Sequence, residues 1–487
     1  MSRSPAERAW LGSSRIFAAE LLIFPTGLVT AGVLSRTLGT ETYGVFALVA
    51  TIVGWLQTTA NSMTARAAHR TLARRTQWRP AAAEIVRLQL QVGLGLGILV
   101  VLGAGQIAAI LKQPAIVTPL RLLALDLPLV AFASAYRSIL VGIEDHYARA
   151  MASAIRWIVR MLAVVTFVKL GWSLTGAVAG LLLTSVVELA FARYRVGPLP
   201  RADRSEIASV RAELMKLALP VAIAAIVTRL MDRADLFLLS AFGAATSTLG
   251  HYGAAQNLTM GVSLLAMSIS PVVLATITRC ELTGDHAGAD QMKDDALRLP
   301  WVLFAFAGLA AGSAPEIMRL IFGEAFVPAA APFSLLIIAS TCMLCVSATA
   351  TLLVTANRPW IVVVVNIPML VLLGISGAWL IPRLGGTGAA LAMFLSTATG
   401  ALFSLGLAVF YTKRPWPLRT MLLGPGLGLA AGTVARAFPA SAAVIIIAKL
   451  LLLSTLLIAG LVLLGVAHLD HLRLLVGRPA RGGRTFP

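Results

Sequence analysis

The chain has 487 residues, 58% of them hydrophobic and only 13% charged, with a formal net charge of +19. Apolar runs of about 20 residues, the length that crosses a hydrocarbon core, recur throughout and exclude a soluble globular fold. They run continuously apolar instead of alternating, which excludes a closed barrel of strands. The sequence therefore predicts an all-α, polytopic membrane protein.

Charged or Pro/Gly-rich breaks divide the apolar runs into about fourteen transmembrane helices. In the first half these fall near Ser13–Leu34, Gly44–Met63, Ile85–Leu111, Pro119–Val141, Ala150–Leu170 and Leu174–Ala192. The second half gives Leu214–Ser240, Gly253–Thr278, Leu299–Phe322, Ala331–Thr355, Trp360–Ile381 and Gly388–Tyr411, followed by Met421–Ala435 and Val444–Ala467. Arg66, Arg70, Arg74, Arg75 and Arg79 fill one predicted loop, and Arg193, Arg195, Arg201, Arg204 and Arg211 fill another. Loops on the opposite side, Thr37–Tyr43, Ala241–His251 and Gly323–Pro328, carry almost no Lys or Arg. Basic loops stay in the cytoplasm, so both termini are expected there. The same placement assigns the positive charge to membrane topology and anionic lipid, and no nucleic-acid role is expected.

The two halves repeat one another. Leu34–Gly44 reads LSRTLGTETYG, and Leu239–Gly253 again gives Leu-Ser, a glycine stop, a polar turn and Tyr-Gly. Tyr43 matches Tyr252 (252 − 43 = 209), Pro119 matches Pro332 (332 − 119 = 213), and Gly176-Ala177 matches Gly388-Ala389 (388 − 176 = 212). Six helices per repeat give parallel halves, with a lobe at 1–212, a second at 213–412 and a terminal pair with a basic tail at 413–487. Two bundles around a central cleft point to alternating access.

Cys280, Cys342 and Cys345 are the only cysteines, and the last two form a CxxC inside an apolar helix, where packing is the expected role. No Walker loop, HExxH or GxSxG is present, and no enzymatic activity is expected. The run Gly93-Leu-Gly-Leu-Gly97 and the pair Gly103 and Gly105 are read as close helix packing.

SRTLGTETYGVFALV resembles the first loop and second helix of bacterial lipid-linked oligosaccharide flippases of the Wzx type. ADLFLLSAFGAATSTLGHYGAA, IFGEAFVPAAAPFSLLIIA and IPRLGGTGAALA resemble the same family at their corresponding places. These flippases belong to the multidrug/oligosaccharidyl-lipid/polysaccharide superfamily, with the multidrug-and-toxin extruders and the lipid II flippase. The resemblance covers most of residues 13–411. It implies two V-shaped six-helix lobes, a cationic cavity, and translocation of undecaprenyl-diphosphate-linked oligosaccharide repeat units across the cell inner membrane for surface polysaccharide synthesis. A lipid II flippase and an ion-coupled multidrug antiporter are the alternatives within the superfamily. A polysaccharide polymerase and co-polymerase are the expected protein partners.

Such a substrate carries a pyrophosphate, and arginine suits phosphate through its planar paired donors. The candidates are Arg137, the pair Arg156 and Arg160, and the pair Arg229 and Arg233, each pair spaced to share one helix face. Snorkelling to the interface, or pairing of Arg229 and Arg233 with Asp232 and Asp235, are the bland readings of the same residues. No cofactor is expected beyond coupling to a proton or sodium gradient. Glu20, five residues before Pro25 and its expected kink, is the candidate coupling acid and Pro25 the hinge. Asp232 and Asp235 are the second choice, and Glu188 and Asp126 are similarly placed acids.

Overall fold

The computed structural model describes residues 15–73, 78–200, 230–355 and 360–465, and every regular element among them is helical. Helix α1, described over 15–21, is followed by α2 (Ile23–Ala73), α3 (Trp78–Ile110), α4 (Val117–Ala124), α5 (Asp126–Gly142), α6 (His146–Phe167) and α7 (Ser173–Val196). Then come α8 (Ala234–Ala241), α9 (Thr246–Leu282), α10 (His286–Gly312), α11 (Ala314–Phe322), α12 (Ala330–Thr355), α13 (Ile361–Thr412), α14 (Leu418–Ala437) and α15 (Ala443–Leu463).

Among the described residues, 9 helical runs are long and apolar enough to cross a membrane. Three of them, of 47, 51 and 50 residues, are far too long for one crossing. Each folds back at a glycine with positive φ: Gly39 (72°), Gly171 (90°) and Gly385 (55°). Glycine adopts a positive φ without the Cβ crowding other residues meet, so each long run divides there into two helical stretches. With each long run counted as two, the described residues hold 9 + 3 = 12 apolar helical stretches that are candidates for crossing a membrane. Most of the predicted seventh helix lies outside the described residues, and α14 is a helix at the predicted thirteenth position.

Two loop expectations need correction. Helix α2 continues to Ala73, so Arg66 and Arg70 ride on a helix end and not in a loop. Helix α10 begins at His286, well before the predicted Leu299, because Asp285 caps it by accepting from the Gly288 N–H at 2.9 Å. Past the apolar span, Ala, Arg, Lys and Gln keep a helix favourable in water, so charge alone does not end it.

The chain forms two compact units. The first comprises the described residues within Met1–Asn257, with Ile321–Ala325 and Ile381–Gly386. Its second helical stretch crosses α9 at close range. A side chain at Gly44 would strike the backbone at Thr246 and Gly250, and one at Gly250 would strike the backbone at Thr40. Ser35 Oγ donates to the Phe322 carbonyl at 3.1 Å, and Ser240 Oγ donates to the Leu111 carbonyl at 2.9 Å. Of the glycines read as packing positions, Gly93 and Gly97 do meet α4 and α5, whereas Gly95, Gly103 and Gly105 face open space.

The second unit comprises the described residues within Leu258–Leu320, Phe326–Leu380 and Thr387–Pro487. Here α10 and α14 approach backbone to backbone, with Gly308 against Gly428, Gly312 against Gly432, and Gly424 against the Trp301 carbonyl. Small residues permit this where no hydrophobic effect drives association. Helix α15 is tied in by Lys449, whose Nζ donates to both Glu316 oxygens at 2.7 Å.

Candidate functional site

Helix α6 starts where Asp145 accepts from the Ala148 N–H at 2.9 Å. From that start, Arg149, Ser153, Arg156, Trp157 and Arg160 recur at helical spacing and make one polar stripe along an otherwise apolar helix. The stripe faces carboxylates from three other elements. Glu20 of α1 accepts from Arg149 Nη2 at 2.9 Å and Ser153 Oγ at 2.7 Å through Oε1, and from Trp157 Nε1 at 3.1 Å through Oε2. Glu188 of α7 is fully buried, bonded to Arg137 of α5 and 3.7 Å from Arg156 Nε. Asp126, opening α5, accepts from Gln57 Nε2 of α2 at 3.0 Å.

Four arginines (137, 149, 156, 160) thus meet three carboxylates (20, 126, 188), an excess of 4 − 3 = +1. Ionised groups in an apolar interior need partners, and three of the arginines have carboxylates within ion-pair range. Arg160 has none within 4.0 Å among the described residues. Its guanidinium lies over the Trp157 ring at 5.8 Å, with that of Arg156 at 4.9 Å. The arrangement can hold an anion. No group of His, Cys, Asp and Glu suited to a metal occurs among the described residues.

The structure brings together five residues considered separately in the sequence, Glu20, Asp126, Arg137, Arg156 and Glu188, and sets Arg160 beside them. Arg137 is buried on Glu188 and does not snorkel. Sequence reasoning missed Arg149, Ser153 and Trp157. It started the helix at Ala150, one residue too late to include Arg149; the Asp145 cap was the signal that would have corrected it. Pro25 is exposed, and the helix is interrupted just before it, at Leu22. Proline supplies no N–H for the preceding turn, which accounts for the break.

A second polar cluster lies in the same unit. Asp235 is buried and accepts from the Tyr252 hydroxyl at 2.6 Å and from Gln256 Nε2 at 2.9 Å, while Arg233 donates to Gln256 Oε1 at 2.9 Å. Arg229 lies outside the described residues. The expected continuous face through Arg229 and Arg233 is corrected at its second member: the chain turns at Asp232 and Arg233, and α8 starts at Ala234. Asp232 is exposed. Asp235 takes neutral donors one turn apart on α9, and its link to Arg233 runs through Gln256.

The sequence profile of a family described as "Polysaccharide biosynthesis protein" matches residues 9–281, more than half of the chain. The chain belongs to this polysaccharide biosynthesis family. Its fold is shared with a lipid II flippase, MurJ, in an inward closed conformation (TM-score 0.75, 13% identity, 92% of this chain and 97% of the other). A multidrug resistance MATE family transporter in an inward-facing conformation gives a TM-score of 0.60 at 14% identity, over 82% of this chain and 95% of the other. A multidrug/oligosaccharidyl-lipid/polysaccharide superfamily transporter from Pyrococcus furiosus gives 0.59 at 14% identity, over 83% and 95%. No curated protein matches the sequence. This family member is therefore a multi-pass helical membrane protein of the flippase and MATE transporter fold, as its motifs implied.

Proposed function

We propose that the chain is a flippase that carries undecaprenyl-diphosphate-linked oligosaccharide repeat units across the bacterial cytoplasmic membrane by alternating access. Both termini are cytoplasmic in this reading, and the product feeds a polysaccharide polymerase and co-polymerase. The observation that carries it is the arginine excess in the polar core of the first unit, within a protein of a polysaccharide biosynthesis family. A diphosphate leaving water needs cations held ready in a low-dielectric setting, where their attraction is strengthened. Arg137, Arg156 and Arg160 supply them, joined by Arg229 and Arg233. No bond is made or broken. Proton or sodium coupling falls to Glu20, with Asp232 and Asp235 as the second pair.

Two other readings belong to the same superfamily. The fold likeness to a lipid II flippase makes lipid II the second substrate. A multidrug antiporter is the third, but a cationic drug would be repelled by this core.

The test is transport in proteoliposomes, offering a fluorescent undecaprenyl-diphosphate oligosaccharide, lipid II and a cationic drug in parallel. The first is expected to move, and Arg160→Ala to abolish its movement. Transport of the drug alone would overturn the reading.

A further inference from the structure

The three donors on Glu20 are arranged as an oxyanion receptor. Arg149, Ser153 and Trp157 sit at i, i+4 and i+8 on α6, so a guanidinium, a hydroxyl and an indole N–H converge from one helix face. A phosphate oxygen makes the same demands on such donors as a carboxylate oxygen does, and charge-assisted bonds to either are the strong ones. Arg156 and Arg160 flank the same indole, extending positive charge beyond the receptor.

Glu20 is also unlike the other acids of the core. Its side chain is 37% exposed, against 1% for Glu188. It lies two residues before the interruption at Leu22 that separates α1 from α2, whereas Glu188 lies in the middle of an unbroken helix. The carboxylate can leave without unfolding α6 or α7.

We propose that Arg149, Ser153 and Trp157 form a binding seat for the substrate's diphosphate, and that Glu20 is a tethered counter-anion occupying it until the diphosphate displaces it. The seat rests on the flippase reading and adds a site to it. An empty seat would leave Arg149 without a counter-charge inside the protein; Glu20 removes that cost in the unloaded state. Displacement also links loading to movement, because the exchanged carboxylate takes α1 with it about the break at Leu22.

The experiment is equilibrium binding of radiolabelled farnesyl diphosphate to the purified full chain in phosphatidylcholine nanodiscs. Removing the competitor with Glu20→Gln should tighten binding about tenfold, one decade in Kd. Arg149→Ala should weaken binding in both the Glu20 and the Glu20→Gln backgrounds, and Arg149→Lys should restore it in part. A coupling role for Glu20 alone predicts unchanged affinity, so a folded Glu20→Gln protein with wild-type or weaker binding overturns the proposal. Should Glu20→Gln fail to fold, Glu20→Asp replaces it. Its shorter side chain cannot span the seat, intermediate tightening is expected, and unchanged affinity overturns the proposal equally. Nanodiscs containing phosphatidylglycerol distinguish the phosphate source. Equal competition by that lipid would show a headgroup site and overturn the diphosphate assignment. If the wild-type chain neither binds farnesyl diphosphate nor moves the lipid-linked oligosaccharide, the flippase reading itself falls. Binding that is indifferent to Glu20, with transport intact, removes only the seat.

Discussion

Ser35 and Ser240 make one hydrogen bond twice, with the partners exchanged between the repeats. Ser35 reaches the carbonyl of Phe322 and Ser240 reaches that of Leu111, and these acceptors are themselves equivalent (322 − 111 = 211). The residues after the acceptors, Lys112 and Gly323, both take positive φ, at 52° and 98°. The glycines closing the serine-bearing helices, Gly39 and Gly243, do so too, at 72° and 81°. A duplicated sequence has produced a duplicated joint. Ser35→Ala and Ser240→Ala should each cost about 1 kcal/mol, the usual net worth of a hydrogen bond, and should lower the melting temperature equally. An effect several times larger at one serine than at the other would refute the equivalence.

The core arginines divide by their partners. Arg137→Ala strands the buried Glu188, and breaking a buried ion pair from one side costs about 3–5 kcal/mol. Protein abundance and thermal stability should fall together. Arg160→Ala removes no ion pair, so abundance should hold while transport is lost. Normal abundance of Arg137→Ala would show that Arg156 alone compensates Glu188.

Helix α15 is tied to α11 by a buried charge pair. Lys449 and Glu316 have side chains only 11% and 7% exposed, and Glu316 also accepts from the Ala440 N–H at 2.7 Å. Each single alanine substitution should destabilise by about 3–5 kcal/mol, and the double variant by less than the sum of the two. Simple additivity in a double-mutant cycle would mean that the pair contributes no coupling.

Topology follows from the distribution of Lys and Arg. Reporter fusions within 105–119, 241–251 and 323–328 are expected outside the cytoplasm, and both termini inside. An external C-terminus would remove the parallel-repeat argument together with the proposed orientation.

Helix positions, the repeat and the membrane class were legible in the sequence because each depends on local or periodic chemistry. Runs of apolar residues must span, glycines with positive φ must end helices, and Tyr43 and Tyr252 mark matched positions whatever surrounds them. What surrounds them was not legible. Tyr43 accepts from Asn257 at 2.8 Å while Tyr252 donates to Asp235 at 2.6 Å, so equivalent residues hold different partners. Arg149 and Glu20 are 129 residues apart and meet only because α1 packs on α6. Sequence identified charged residues too costly to bury alone, and that cost guarantees each ion a partner without saying which. The choice of partner is a matter of which helix faces turn towards one another, and the packing of the whole unit decides it.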